Sequence, residues 1–280
     1  MKKITRRSFL AAAGLTAAAL ALTACGGSSS STASSVASSA AASSEAASSS
    51  AAAAELTTVE AGKLTMATNA AFPPYEMTTD AGDFEGIDIE TAQAIADKLG
   101  LELQIDDMDF DAALLSVQQG KADIVMAGVT VTDERKAVMD FSDSYATGIQ
   151  SIIVPEGSDI ASPDDLAGKK IGTQRGTTGY IYCSDDFGDE NVVAYDDGLT
   201  AVQALNNGQV DAVVIDNAPA KEFVAANPGL VILDTSYAEE DYAIGVAKGS
   251  SLKDAVNAAL EELKADGTLQ SIVDKYITAE

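Results

Sequence analysis

The stretch from Ala122 to Tyr145 combines residue types that suit a small anion. It begins with an apolar run that is long enough for a buried strand and too short for a helix. Gly128 follows, and a glycine at a strand end lets a ligand approach the backbone closely. Thr130 and Arg135 come next, and a planar guanidinium matches a carboxylate bidentately. Two interpretations are open for this stretch alone: an anion site, or a strand-to-helix turn capped by Asp133 with Arg135 in a surface ion pair.

Residue types that the sequence lacks exclude several kinds of chemistry. Without histidine, Ser-His-Asp and Cys-His nucleophiles and a histidine-ligated zinc are impossible. The acidic run 184–190 does not have the spacing of a calcium loop, and it predicts a solvated loop instead. The sequence contains neither a phosphate-loop pattern nor a dinucleotide fingerprint. We therefore expect no catalytic residues, no metal and no cofactor.

A second segment repeats the plan of the first. Residues 117–127 and 205–215 match in character, since each has a helix end, a glycine, an aspartate and a buried strand. This repetition predicts two α/β lobes of similar plan, with ligands beyond the carboxyl ends of the strands. Arg135 follows the first strand and Asp216 ends the second. The two walls would then match the opposite charges of a zwitterion.

Alternating strands and helices must position these side chains. Gly86 and Asp88 open a helix for which Asp88 is a plausible cap, and Gly100 ends it. The remaining helices are predicted to begin near residues 110, 199, 251 and 268. Strands are predicted at residues 63–68, 101–105, 123–127, 150–154, 169–173, 192–195, 211–215 and 241–247.

The order of these elements predicts two lobes joined by a hinge. Lobe 1 would contain residues 56–150 and 243–280, and lobe 2 would contain residues 151–242. The chain would cross between the lobes twice, near 151–155 and near 242–246. Two crossings form a hinge about which the lobes can close on a ligand.

The N-terminus has the features of an export signal. A basic start is followed by an apolar region, so residues 1–24 are expected to be removed. Leu22–Cys25 resembles the lipobox of bacterial lipoproteins, which implies a lipid on Cys25. Thr5–Leu10 also resembles a twin-arginine motif, and export by either route is open. The Ser- and Ala-rich residues 25–55 would form a flexible tether that holds the folded part at the outer face of the cell membrane.

The acidic charge and the cysteines exclude further classes. A formal net charge of −26 repels phosphate backbones and anionic lipid, so we expect no nucleic-acid partner and membrane contact only through the anchor. With Cys25 lipidated, Cys183 would have no partner for an intrachain disulfide. Nothing near Cys183 would lower its pKa, and we expect a small buried or half-buried residue.

Six blocks of the mature part resemble the polar amino-acid family (family 3) of extracytoplasmic solute-binding proteins. They are ATNAAFPPYE (67–76), GIDIETAQAIADKLG (86–100), MDFDAALLSVQQGKADIVMAGVTVTDERKAVMDFSDSY (108–145), GKKIGTQRGTTG (168–179), NGQVDAVVIDNAPA (207–220) and LKADGTLQSIVDKY (263–276). The resemblance is closest to glutamine-type members. It implies a monomeric two-lobed periplasmic-binding-protein fold (type II), each lobe a sheet flanked by helices, that delivers an amino acid to the membrane permease of an ABC importer.

The resemblance also implies which residues contact the ligand. Arg135 would hold the α-carboxylate, helped by the Gly128 and Thr130 amides and by Thr178. Asp216 would take the α-ammonium, beside the Thr130 hydroxyl and the carbonyl of Ala127 or Gly128. The implied set is Asn69, Phe72, Phe110, Ala127, Gly128, Thr130, Arg135, Gln174, Thr178 and Asp216.

The end of the pocket that holds the ligand side chain departs from the family pattern. Phe72 and Phe110 would sandwich that side chain, while Asn69 and Gln174 would read its polarity. Relatives often carry aspartate where this sequence has Asn69, and a lysine or an apolar residue where it has Gln174. We therefore expect a neutral polar, glutamine-like amino acid.

Three other interpretations remain open. Arg135 and Asp216 could form a structural ion pair. A few similar proteins are dehydratases, but an enzyme needs a general acid or base aimed into the cleft. Asp216 and Glu76 are the candidates for that role, and they are better explained as an ammonium partner and a loop brace. A sensor that acts through a membrane kinase would also fit the sequence.

Overall fold

The computed structural model of the protein describes residues 56–277 as an α/β fold. Its strands are β1 (Lys63–Thr68), β2 (Ala71–Phe72), β3 (Glu76–Thr78), β4 (Phe84–Glu85), β5 (Glu102–Asp107), β6 (Ile124–Val125), β7 (Met139–Pro155), β8 (Ile171–Gln174), β9 (Val192–Tyr195), β10 (Ala212–Asp216), β11 (Leu230–Ile232) and β12 (Ala238–Ala247). Its helices are α1 (Ile87–Leu99), α2 (Phe110–Gln118), α3 (Asp133–Val138), α4 (Thr178–Phe187), α5 (Gly198–Asn206), α6 (Asn217–Ala226), α7 (Leu252–Ala265) and α8 (Thr268–Tyr276).

Two sets of parallel strands lie at opposite ends of one continuous sheet. The sheet order is β5-β1-β6-β12-β7-β10-β8-β9, with β11 also paired to β7. Strands β5, β1 and β6 are parallel, as are β10, β8 and β9, while β7 and β12 are antiparallel to each other and join the two sets. Strands β2, β3 and β4 form a separate small sheet. The predicted α/β class is confirmed.

Strand β7 is much longer than predicted. It has 17 residues, whereas the sequence predicted a strand only at 150–154. Residues 139–149 contain Asp, Ser, Thr and Gly, whose polarity conceals the strand, and pairing with β12 supplies the hydrogen bonds that local propensity does not. The proposed lobe boundaries, 150/151 and 242/243, fall within β7 and β12, and the division into lobes stays a prediction.

Helices cover both faces of each parallel set. In the first set, α1, α7 and α8 pack on one face, and α2 packs on the other. In the second set, α5 and α6 lie on one face and α4 on the other. The apolar side of α7 shows how its sequence sets this packing, because Leu252, Val256, Ala259, Leu260 and Leu263 are all buried, as predicted. Each fully buried leucine or valine contributes about 1.5–3 kcal/mol relative to an exposed one.

Two predicted helix caps are wrong. Helix α1 begins after Gly86 without a side-chain cap, and Asp88 lies inside the helix with a buried carboxylate. Helix α3 is capped by Thr132 rather than Asp133, because the Thr132 hydroxyl accepts a hydrogen bond from the Arg135 amide at 3.2 Å. In both cases the acidic side chain that the pattern favoured lies one or two residues past the true cap.

The predicted loop at residues 184–190 is also wrong. Its first residues form the end of α4, and Asp189–Asn191 form a 3-10 turn after Gly188. The buried face of α4 includes Cys183, as expected, and burial raises the pKa of that thiol to about 12, with the charge of Asp186 adding to the effect. Local sequence hid this helix, because its first turn contains threonine and glycine.

The predictions for the N-terminus lie outside the described residues. The export signal at residues 1–24, the lipid on Cys25 and the tether through residue 55 are therefore not described structurally. From Leu56 to Ile277, no helix has both the length and the apolar character needed to cross a bilayer.

Candidate functional site

The ten predicted ligand contacts line one cavity. Two further residues, Glu76 and Thr177, complete the wall. The volume of this cavity is about 20 Å³, far below the roughly 300–1,000 Å³ that is usual for small-molecule sites. The structure therefore brings the predicted residues together in a closed arrangement, and their contacts with a ligand stay a prediction.

Arg135 supplies the cationic wall from the short helix α3. Its side chain is only 9% exposed. The guanidinium donates to the Thr130 carbonyl at 2.7 Å and to the Gly176 carbonyl at 3.1 Å, and it lies 5.3 Å from the centre of the Phe110 ring. Burial lowers the pKa of Arg135, while the charge of Glu240 opposes that shift. A buried guanidinium with neutral acceptors is well suited to an added carboxylate.

Asp216 supplies the anionic wall where β10 ends and α6 begins. Its carboxylate accepts hydrogen bonds from the Gln150 side-chain amide at 2.9 Å and from the Tyr242 hydroxyl. Burial raises the pKa of Asp216 to about 7, and the nearby charge of Glu240 adds to the rise. Within residues 56–277 no ion pair joins Arg135 to Asp216, so the structural ion pair considered above is not formed.

Gly128 forms the turn that ends the first strand, and its amide has a different partner from the one implied. It donates to the Asp88 carboxylate at 3.0 Å, and the same oxygen accepts from the Tyr145 hydroxyl at 2.8 Å. The backbone here is left-handed, with φ of 54°, and an added Cβ would lie 2.8 Å from the Phe72 ring. In this closed arrangement the Gly128 amide is occupied by Asp88, and its contact with the ligand carboxylate stays a prediction. Among the described residues, the Thr130 amide has no acceptor and remains suited to that role.

Two amide side chains meet in the wall of the cavity. Gln174 donates to the Asn69 side-chain oxygen at 2.8 Å and to the Asp196 carbonyl at 3.3 Å. The Asn69 amide in turn donates to the Met108 carbonyl at 3.0 Å. The predicted pair is therefore in contact across the cavity, with Phe72 and Phe110 also in its wall.

Glu76 is the main site residue that the sequence reasoning missed. It was expected to brace its loop, but it is fully buried, its carboxyl oxygens accept no hydrogen bond, and its hydrogen-bond partner is the Asp88 carboxyl, to which a protonated Glu76 can donate. Burial raises its pKa well above the usual range, and the charge of Asp88 adds to the effect. Burial also raises the pKa of Asp88, to about 6. The signal available in the sequence was its place in the Pro-Pro loop that also carries Phe72.

Thr177 was also missed, and it has a structural explanation. Its hydroxyl caps α4 by accepting from the Tyr180 amide at 3.3 Å. The cap places Thr178, the first residue of α4, at the cavity. Gly176 packs so closely against Asp111 that an added Cβ would lie 1.7 Å from a carboxylate oxygen. The loop before α4 and the start of α2 are therefore in close contact.

The comparisons with known proteins agree on one family. A model of the bacterial extracellular solute-binding proteins, family 3, matches residues 64–279. The L-cystine-binding protein TcyJ of Escherichia coli K12 is 33% identical over 226 residues, which covers 79% of this chain and 85% of that protein.

Solved structures give the same result. The arginine-, lysine-, histidine-binding protein ArtJ of Geobacillus stearothermophilus is 34% identical with a TM-score of 0.75, covering 78% of this chain and 96% of that one. An ancestral arginine-binding protein bound to glutamine is 42% identical with a TM-score of 0.75, covering 79% of this chain and 100% of that one.

Proposed function

The chain belongs to family 3 of the bacterial extracellular solute-binding proteins, and from this premise we propose that it captures a free polar amino acid and delivers it to the permease of an ABC importer. One observation carries the proposal. A buried guanidinium and a buried carboxylate, Arg135 and Asp216, line the same cavity without pairing with each other. The two groups match the charges of an amino-acid backbone.

Burial disfavours the charged form of Arg135 and of Asp216, and an oppositely charged ligand group would favour it again. The α-carboxylate would form charge-assisted bonds with Arg135, together with the Thr130 amide. The α-ammonium would lie against Asp216, and an adjacent positive charge favours the ionised carboxylate. Because the closed cavity is small, the ligand must bind as the walls close, and it can drive closure only by binding the closed state better. Strands β7 and β12 are the proposed hinge between lobe 1 (56–150 and 243–280) and lobe 2 (151–242).

A neutral polar side chain is the first candidate for the ligand. The amides of Asn69 and Gln174 lie in the wall of the cavity, where they can exchange their mutual hydrogen bond for bonds to a ligand amide. The relative bound to glutamine supports this choice.

A cationic side chain is the second candidate, and Glu76 favours it. A buried carboxylate that accepts no hydrogen bond is costly unless a ligand satisfies it, or a proton that it can share with Asp88. An ionised Glu76 would pair with a guanidinium or an ammonium, whereas a protonated Glu76 could donate to an amide oxygen. The names of the arginine-binding relatives point the same way.

Calorimetric titration of the ligand-stripped protein with the twenty amino acids tests both candidates. We expect a polar amino acid to bind with a Kd below about 100 µM, and weaker binding by all twenty would reject amino-acid capture, since that limit corresponds to only about 5.5 kcal/mol. Glu76→Gln should weaken a cationic ligand by about 30-fold or more and a neutral one by no more than about threefold. Glu85→Gln, at an exposed position, is the matched control.

The site of action is also part of the proposal. Lipidation of Cys25, with residues 25–55 as a tether, would hold a monomer at the outer face of the cell membrane. The LTAC sequence before and at Cys25 supports this. We propose no catalytic role, because Asp216 and Glu76 are explained as ligand contacts, and we propose no further sensor function.

A further inference from the structure

Glu240 is a buried carboxylate next to the cavity that was not among the predicted contacts. It lies on β12 and is 6% exposed. A single carboxylate oxygen accepts hydrogen bonds from the Thr130 hydroxyl at 3.2 Å, the Thr178 hydroxyl at 3.0 Å and the Gln150 amide at 2.9 Å. These donors come from the segment after β6, from α4 and from β7. One oxygen therefore connects both walls of the cavity to the two long strands.

The chemistry of a carboxylate determines where the protons lie. An ionised carboxylate can only accept, and each threonine hydroxyl has one proton to donate. The Thr130 and Thr178 hydroxyl oxygens lie 3.5 Å apart, and either could donate to the other, but the Glu240 oxygen, at 3.2 Å and 3.0 Å, is the closer acceptor for both protons. It is also the stronger acceptor because it is charged. The Gln150 side-chain amide directs its N–H groups toward two carboxylates, because it donates to Asp216 at 2.9 Å as well as to Glu240.

This arrangement restricts what the two hydroxyls can offer a ligand. A hydroxyl whose proton is committed presents only lone pairs, so it accepts from an ammonium and cannot donate to a carboxylate. Both threonines line the cavity, as Asp216 does. The ligand carboxylate is then left with Arg135 and backbone amides as donors.

We propose that Glu240 sets the hydrogen-bond polarity of the cavity by committing the Thr130 and Thr178 hydroxyls as acceptors, so that the site selects an α-ammonium over an α-hydroxyl. Glu240 is thus a positioning residue that acts through the two threonines. The inference rests on the proposed amino-acid binding, and it attributes the discrimination between amino acids and 2-hydroxy acids to Glu240. A purely structural Glu240 would alter overall stability or affinity without changing that discrimination.

The test compares L-arginine and L-glutamine with their 2-hydroxy analogues in wild type and Glu240→Gln. A glutamine at 240 still accepts through its amide oxygen but has no charge, so it holds the threonine protons less strongly and leaves them freer to turn toward the ligand ammonium. We expect the Kd of the amino acid to rise about tenfold or more. The 2-hydroxy acid should change by less than about threefold, because its hydroxyl can donate or accept. Glu239→Gln, which removes the same charge at an exposed neighbour, should alter neither.

A double-mutant cycle separates hydrogen-bond polarity from simple charge. If Glu240 acts through the hydroxyls, Glu240→Gln should have little further effect when Thr130→Val and Thr178→Val are already present. Fully additive losses of amino-acid affinity would mean that Glu240 acts by charge alone, and they would overturn the proposal.

A variant pair at Thr130 covers the case in which Glu240→Gln does not fold. Thr130→Ser keeps the hydroxyl and should keep the discrimination, whereas Thr130→Val should reduce it. Equal discrimination in these two variants would overturn the proposal. Wild-type protein that binds no amino acid would overturn both this inference and the proposed function, whereas wild-type binding with discrimination unchanged in Glu240→Gln would overturn this inference alone.

Discussion

Two segments of the chain approach the candidate site by the same local plan. Helix α2 leads to Gly120 and β6, and helix α5 leads to Gly208 and β10. Both glycines have a left-handed backbone, with φ of 67°. The aspartate before each strand accepts a backbone hydrogen bond at 2.8 Å. Asp123 accepts from the amide of Thr65 in β1, and Asp211 accepts from the amide of Lys170, the residue before β8. The repeat seen in the sequence is therefore a structural repeat.

The two segments differ in chemistry most clearly after the strands end. After β6, the chain turns at Gly128 and reaches Arg135 in α3, whereas β10 ends in Asp216 and continues directly into α6. One wall thus carries a guanidinium and the other a carboxylate. Burial opposes both charges, lowering the pKa of Arg135 and raising that of Asp216 to about 7. A shared scaffold sets where the two charged side chains lie, and the short segments that follow it set which charge lies on which wall.

Removing the guanidinium of Arg135 should have the largest effect on amino-acid binding. Arg135→Ala is expected to weaken amino-acid binding by about 1,000-fold, since a buried charge partner is lost. The ligand-free protein should lose no more than about 1–2 kcal/mol of unfolding free energy, because the lost hydrogen bonds are offset by relief of a buried charge. Calorimetry and urea unfolding measure the two effects.

Lys136→Ala is the matched control for that variant. Lys136 follows Arg135 in the same helix, and its exposed side chain forms an ion pair with Asp133 at 3.6 Å. Binding should be unchanged. If Arg135→Ala binds like wild type, the guanidinium does not hold the ligand.

Neutralising the opposite wall should have a smaller effect that depends on pH. Asp216→Asn is expected to weaken binding by about 30- to 100-fold at pH 8. In wild type the affinity should rise between pH 5.5 and 8, because the ligand ammonium needs the ionised carboxylate, whose pKa is about 7. The variant should lack this part of the pH dependence, as measured by titration calorimetry across that range.

In the ligand-free protein, the contribution of Asp216 to folding stability should fall as the pH rises, whereas its contribution to ligand affinity rises. The pKa of Asp216 is higher in the folded protein than its ordinary value of 3.8, so protonation favours the fold, and that contribution is lost as pH rises through about 7. Asp216→Asn should therefore unfold at a higher temperature than wild type at pH 8, with a smaller difference at pH 5. A larger advantage at pH 5 than at pH 8 would contradict the raised pKa.

Substituting Asp123 or Asp211, the aspartates before β6 and β10, should have the smallest effects, and these should be on stability alone. Asp123 is buried and accepts from the Val59 and Thr65 amides, whereas the exposed Asp211 accepts from Lys170. Asp123→Asn should lower the unfolding free energy by about 2–3 kcal/mol and Asp211→Asn by about 1 kcal/mol, measured by urea unfolding. Ligand affinity should change in neither. Equal losses would show that burial does not distinguish the two braces.

Local patterns were sufficient for the elements that bury a regular apolar face. Strand β1 was predicted at its observed bounds, and the buried face of α7 followed from its spacing. Helices α4 and α6 were not predicted, because glycine, threonine and proline near their starts weaken the helical signal and tertiary packing must supply the stability. The length of β7 depends on β12, far away along the chain.

The sequence by itself determined the family, the repeated plan and the opposite charges of the two walls, because residue type and local spacing carry that information. Only the tertiary structure decided how the polar groups are paired. The Gly128 amide donates to Asp88, and the Thr130 and Thr178 hydroxyls donate to Glu240. Each of these bonds joins residues distant in sequence, and a buried donor takes whichever acceptor the fold places within about 3 Å.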